Sequence, residues 1–268
     1  MDLLAPYLPI EGEKPLDRIV DDGGLTAIFR TIACIGDSLS SGEFESTKAD
    51  GTKGYHDYYD YSWGQYIGRM VGAKVYNFSK GGMTAKNYME EFADRRGLWA
   101  EEKAAQAYIL ALGVNDLHNR KHPLGTVGDI SDEGWRESMK AQTFAGWYGA
   151  IIQRYRTIQP KSRIFLMTMP RSGNPERDAV SAAHAELLYQ MAEKFEFTYV
   201  LDLHKYAPVY DDEFRRLFYL GNHLNAAGYL FTAKITASYI DYIIRHNPED
   251  FTQVGFIGTP HHNAFAKW

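Results

Sequence analysis

Cysteine is nearly absent: the 268 residues include one, Cys34. That excludes an intrachain disulfide and any zinc site built from cysteine. A lone cysteine inside an apolar run reads as a small buried hydrophobe. Neither sign of charge is in large excess. Lys and Arg number 29 against 34 Asp and Glu, a net charge of −5. This balance argues against a nucleic-acid or anionic-membrane surface as partner. No run of about eighteen apolar residues exists to span a bilayer. The first residues, Met1-Asp2-Leu3-Leu4-Ala5-Pro6, have neither a basic n-region nor a long apolar h-region. The expectation is a cytoplasmic protein, or a secreted one if a leader has been removed. The patterns Gly-x-x-x-x-Gly-Lys, His-Glu-x-x-His and Gly-x-Ser-x-Gly are also missing. Their absence speaks against a P-loop nucleotide hydrolase, a zincin protease and a hydrolase of the nucleophile-elbow type.

Apolar residues make up 45% of the chain and aromatics 14%, enough for a sizeable core. Short apolar runs alternate with helical patterns. Strands are expected over 25–35, 74–78, 107–112, 163–169 and 199–203. Helices are expected over 62–71, 84–93, 144–158, 178–195 and 225–245. Residues 40–61 fit no helical period and read as a long loop rich in tyrosine; residues 117–138 read as a polar excursion. Strand and helix repeated about five times predict an α/β fold of three layers, α/β/α, around a mostly parallel five-stranded sheet. The simplest organisation is an extended lead-in (1–24), one domain (25–246) and a tail packed on it (247–268).

In such a sheet, ligands bind beyond the carboxyl ends of the strands. Thr31-Ile32-Ala33-Cys34-Ile35-Gly36-Asp37-Ser38 is a buried run that stops at a serine. Gly81-Gly82 follow the second strand, Asn115 follows the third, and His223 precedes the last helix. A serine and a histidine can make a nucleophile–base pair, with a glycine N–H and an asparagine amide donating to the developing oxyanion. Asp37 and Asp116 read as turn-stabilising carboxylates. His118 and His122 lie in the loop after Asn115, either lining the cleft or solvated. His261-His262 has no third ligand at a recognisable spacing, so no metal site is expected. Arg171, at a strand's carboxyl end, is placed either to bind a substrate carboxylate or to make a surface ion pair. Tyr55, Tyr58, Tyr59 and Tyr61 either form a stacking wall, with Tyr55 and Tyr59 against substrate, or pack among themselves.

Gly36-Asp37-Ser38-Leu39 resembles the first sequence block of the GDSL, or SGNH, hydrolases. Asn77-x-Ser79-x-x-Gly82 resembles the second block, Gly113-x-Asn115-Asp116 the third, and His223-Leu224-Asn225-x-x-Gly228-Tyr229 the end of the last. The resemblance implies a flavodoxin-like SGNH fold and a serine esterase. It casts Ser38 as nucleophile, His223 as base, and the Ser38 N–H, Gly82 and Asn115 as the oxyanion hole. No cofactor is implied. The partner is a small-molecule or glycan ester, and a short-chain acyl or acetyl ester on a carbohydrate is preferred. The alternatives are a lipase- or thioesterase-like acyl hydrolase, or a decayed hydrolase that only binds. The family's aspartate three residues before the histidine is replaced here by Leu220. Three readings follow, in this order: a backbone carbonyl near 217–220 orients His223 in a Ser–His dyad; Asp211, Asp212 or Glu213 reaches in as the acid; or the site is dead.

Overall fold

The structure, a computed structural model, describes residues 3–268. From the N-terminus, β1 (Thr31–Gly36) runs into the short helix α1 (Ser38–Ser41), β2 (Glu43–Thr47), β3 (Lys53–Asp57), α2 (Trp63–Val71) and β4 (Lys74–Ser79). The next helical stretch is broken into α3 (Ala85–Asn87), a π-helical turn (Tyr88–Phe92) and α4 (Ala93–Arg95), and it leads to β5 (Ala107–Ala111). α5 (Trp135–Ser138) lies in the long connection to α6 (Phe144–Ile158). Then come β6 (Arg163–Met167), α7 (Pro175–Lys194), β7 (Thr198–Leu201) and α8 (Leu203–Tyr206). α9 (Asp212–Phe218), the two-residue strands β8 (Tyr219–Leu220) and β9 (His223–Leu224), and α10 (Ala226–His246) follow.

Five strands form one parallel sheet in the order β4-β1-β5-β6-β7. Both of its faces are covered, which is why the strands read as continuous apolar runs rather than alternating ones. Successive side chains still point to opposite faces. Ala33, Ile35, Tyr108, Leu110 and Leu166 join Tyr88, Phe144, Tyr148 and Leu188 in one core. Ile32, Cys34, Ile109, Phe165 and Met167 join Ile67, Tyr229, Ala233 and Ile240 in the other. Cys34 is buried and free, and burial pushes its thiol pKa far up, so it is an inert packing residue. The expected three-layer α/β/α architecture is the observed one.

Two stretches differ from the sequence reading. The first strand begins at Thr31, not Leu25, because Gly24–Ile28 is a 3₁₀ turn held on α10. Its Leu25 N–H donates to Asp241 Oδ1 at 2.8 Å, and Thr26 Oγ1 donates to the Ala237 carbonyl at 2.9 Å. The first of these bonds takes up a backbone N–H that a strand would otherwise pair, and the second ties the turn to the helix. The segment before it is fixed to the same helix: Val20 N–H donates to Ser238 Oγ, and Glu13 accepts two bonds from the Arg245 guanidinium at 2.6 and 2.9 Å.

The second difference lies within 40–61, which contains an antiparallel hairpin instead of an irregular loop. β2 pairs with β3 in the register Glu43↔Asp57, Phe44↔His56 and Glu45↔Tyr55. Phe44 packs against Tyr58, Tyr61 and Tyr229 at ring distances of 5.5–5.6 Å, which seats the hairpin on the domain. Residues on alternate positions of a strand face opposite ways. Glu43 and Glu45 therefore share the face away from Phe44, and Tyr55 stands beside Glu45.

Candidate active site

The carboxyl ends of β1, β4 and β5 and the turn before α10 meet in one cleft of about 820 Å³. Ser38, Gly82, Asn115 and His223 all line it. Asp37 caps α1, its Oδ1 accepting from Leu39 N–H at 3.0 Å. This turns the chain from strand to helix with Ser38 at the bend. Neither the Ser38 nor the Gly82 N–H is spent on a protein acceptor among the described residues. Both are available to an oxygen in the cleft. The Asn115 Nδ2 donates to Asp37 Oδ2 and to the Met83 carbonyl, each at 3.2 Å, while its Oδ1 accepts from Asn119.

Asp37 and Asp116 are the turn-stabilising carboxylates expected. Asp116 accepts from the Ala85 N–H through both oxygens and faces His122 Nδ1 at 3.2 Å. Burial raises Asp37 to about 7, with the charges of Asp116 and Glu43 pushing the same way. Burial also raises Asp116 to about 6, against the opposing pull of Ala85 and His122.

His223 is oriented by neither of the groups that sequence reasoning offered for that role. Its Nδ1 makes no hydrogen bond, so no carbonyl of 217–220 holds it. Asp211 is engaged elsewhere, capping α9 through Phe214 N–H at 3.0 Å. Asp212 and Glu213 are in the first turn of α9. Among the described residues, the carboxylates within 4.0 Å of the ring are Glu43 and Glu45, both from β2. Glu45 Oε2 lies 3.6 Å from Nδ1, and Glu43 Oε1 lies 3.0 Å from Nε2.

These two carboxylates differ in kind. Glu45 is buried, with 4% of its surface exposed. It is held by Lys53 Nζ at 2.6 Å and by the Asn222 N–H at 3.0 Å. Lys53 beside it keeps its carboxyl below the usual range, so it is a fixed charge. Glu43 borders the cleft, and burial raises its carboxyl, with His223 opposing the shift. Two glycines make room for the pair. A Cβ on Gly221, where φ is +69°, would stand 2.6 Å from the Glu45 carboxyl carbon. A Cβ on Gly81 would meet Glu43 Oε2 at 2.1 Å. Sequence reasoning missed both glutamates. The available signal was Glu43-Phe44-Glu45, one apolar residue between two acids, followed by the turn Asp50-Gly51.

The other candidates separate cleanly. Tyr55 lines the cleft and sets its ring edge-on to His223 at 5.6 Å. Tyr59 does not reach it: its hydroxyl donates to the Val75 carbonyl at 2.7 Å, a half-buried phenol satisfied by the sheet edge. Arg171 and His118 line the cleft. Burial lowers His118 to about 4, which leaves it neutral. His122 instead packs on Trp147 beside Asp116. His261 and His262 are exposed in the tail. A second, smaller hollow of about 60 Å³ abuts the cleft and shares Asp37, Leu39, Val114 and Met169 with it; Trp63 and Leu224 close its apolar wall.

Solved structures share this fold. A family two carbohydrate esterase from Clostridium thermocellum, solved in complex with cellohexaose, superposes with a TM-score of 0.55 at 15% identity, covering 89% of this chain and 66% of that one. The psychrotrophic esterase EstA from Pseudoalteromonas sp., inhibited by monoethylphosphonate, gives a TM-score of 0.51 at 14% identity, covering 80% and 98%. At these identities the likeness is one of fold. No curated protein matches the chain at a significant level. The model of the GDSL-like lipase/acylhydrolase family matches residues 34–230, a span that holds all four sequence blocks. The chain belongs to that family and is a carboxylic ester hydrolase.

Proposed function

We propose that the protein is a serine esterase acting on a short-chain acyl ester, an acetyl ester of a carbohydrate above all. The observation that carries this reading is the convergence of Ser38, His223, Gly82 and Asn115 on one cleft with Tyr55 against the histidine. Ser38 Oγ attacks the ester carbonyl as His223 takes its proton. The oxygen that becomes negative is received by the free Ser38 and Gly82 N–H groups. Asn115 joins them by turning one N–H from its long contact with Asp37. Each such donor lowers the barrier by about 3 kcal/mol. The protonated His223 returns its proton to the leaving alcohol, and water, activated by the same ring, releases the acid from acyl-Ser38.

Glu45 takes the orienting role that Leu220 cannot fill. A buried, ionised carboxylate facing Nδ1 selects the tautomer with its proton on Nδ1 and stabilises the imidazolium; Nε2 then serves as base once it turns from Glu43 Oε1, 3.0 Å away, toward Ser38. Closing the 3.6 Å gap to a hydrogen bond requires a shift of under about 1 Å, common when a catalytic site engages substrate.

The 60 Å³ hollow, lined by Asp37 and Leu39 on either side of Ser38 in the chain, suits a small acyl group and is far too small for a fatty chain. The carbohydrate part draws on the open, partly polar cleft and on the fold likeness to the carbohydrate esterase above. The test is hydrolysis of p-nitrophenyl esters of increasing chain length by wild type and Ser38→Ala. Turnover of the acetate should fall at least a thousandfold in Ser38→Ala, and kcat/KM should drop beyond the butyrate. Equal rates in the two proteins would instead describe a binding protein on a hydrolase fold.

A further inference from the structure

The cleft carries an electrostatic feature that ester hydrolysis does not need. Arg171, Arg177 and Arg215 all line it. Among the described residues, none of the three lies within 4.0 Å of a carboxylate, although the chain as a whole is acidic, at −5. The Arg171 Nε is buried and makes no hydrogen bond. Arg215 makes one long contact, to the Gly221 carbonyl at 3.4 Å, and its guanidinium lies over the Tyr219 ring. Arg177 is exposed at the rim. A buried guanidinium nitrogen without a partner is costly, and a planar fork of donors fits a carboxylate best.

The acids facing the same space are Asp37 and Glu43, on the Ser38 and His223 side. Asp178 is tied back to Ser172 and Gly173. A third hollow, of about 220 Å³, shares Gly81 and Gly82 with the cleft and carries Lys80 and Arg96, with Arg95 paired to Glu91. Cations therefore line both the cleft that holds Ser38 and the hollow next to it.

We infer that the ester is borne by an acidic oligosaccharide, a chain of uronate-type sugars whose carboxylates are received by Arg171, with Arg177 and Arg215 beside it and Lys80 and Arg96 in the adjoining hollow. This rests on the esterase reading for the reaction but not for the binding. A neutral carbohydrate offers the arginines only hydroxyl acceptors, which a guanidinium binds more weakly than a carboxylate.

Binding to Ser38→Ala separates the two. Titration calorimetry at about 50 mM salt would compare a tetragalacturonide with its fully methyl-esterified form, which has the same sugar chain and no charge. The free acid should bind at least tenfold tighter, and the preference should shrink as salt screens it. The double variant Arg171→Gln/Arg177→Gln in the same background should bring the two forms near parity. Equal binding of both forms, no binding of either, or a preference unmoved by the double variant would overturn the inference. Turnover of p-nitrophenyl acetate, compared between wild type and Ser38→Ala, reports on the esterase reading alone. A protein that prefers the acid but lacks Ser38-dependent turnover keeps the anion site and loses the esterase.

Discussion

Glu45 lies behind His223 without touching the cleft, so its substitution separates orientation from binding. Glu45→Gln keeps the shape and the Asn222 contact but removes the charge that faces Nδ1. It should lower kcat for p-nitrophenyl acetate by about 10²–10⁴-fold, as loss of an orienting acid does, with KM little changed. Asp211→Asn, Asp212→Asn and Glu213→Gln should each stay within twofold of wild type. A rate loss confined to one of those three, with Glu45→Gln fully active, would return the acid to α9. Asp37 permits a different measurement. Its folded pKa of about 7 lies above the ordinary value of 3.8, because burial disfavours the charge. The folded state thus holds a proton that the unfolded chain gives up near pH 4, and Asp37's contribution to stability declines as pH rises through that window. Between pH 5 and 8 the loss is about 3 kcal/mol. A side-chain amide does not titrate in this range, so urea unfolding of Asp37→Asn should lack that decline. Asp116, raised to about 6, slopes the same way in both proteins. The quantity to read is therefore the wild-type minus variant difference, which should fall with pH.

The hairpin β2–β3 is the element that sequence reading did not foresee, and it carries the groups that complete the site. The buried strands were legible because the sheet is covered on both faces, which writes long apolar runs into the chain. The site positions Ser38, Gly82, Asn115 and His223 were legible because each sits at a strand end or helix start, where sequence and geometry coincide. The hairpin has no such signature. Four of its β3 residues are exposed, its tyrosines obscure the alternation, and what fixes it is contact between Phe44 and residues distant in sequence, Tyr229 among them. The acid was illegible for the same reason: Glu45 meets His223 only through tertiary packing, from the far end of the chain's catalytic span. The union of hairpin and histidine turn can be tested by a double-mutant cycle. Gly221→Ala places a methyl group against the Glu45 carboxyl and strains a left-handed residue. It should slow turnover at least tenfold, and adding Glu45→Gln should cost much less than the product of the two single effects. Multiplicative losses would mean that Gly221 acts through backbone strain alone.

At the scale of the whole molecule, the sheet presents the site while the chain before β1 clamps the layer behind it. The alternation of short apolar strands with helices was enough to predict three layers, since few architectures bury both faces of a parallel sheet. Where residues 3–30 would pack was not predictable, because their anchors are polar and lie on α10. Glu13 and Arg245 form the strongest of these anchors. Their side chains are 4% and 1% exposed, and Asp241 holds the third guanidinium nitrogen at 2.8 Å. Removing one partner of such a pair leaves a buried charge only half compensated, which costs about 3 kcal/mol. Glu13→Ala should therefore lower the urea midpoint by that equivalent at an unchanged m-value, because the surface exposed on unfolding is nearly the same. Glu13 is not among the residues lining the cleft, so p-nitrophenyl acetate turnover per folded molecule should stay at the wild-type level. A loss of activity without a loss of stability would mean that the clamp sets the geometry of the site. A loss under about 1 kcal/mol would mean that Asp241 alone satisfies Arg245 and that the lead-in is dispensable for the fold.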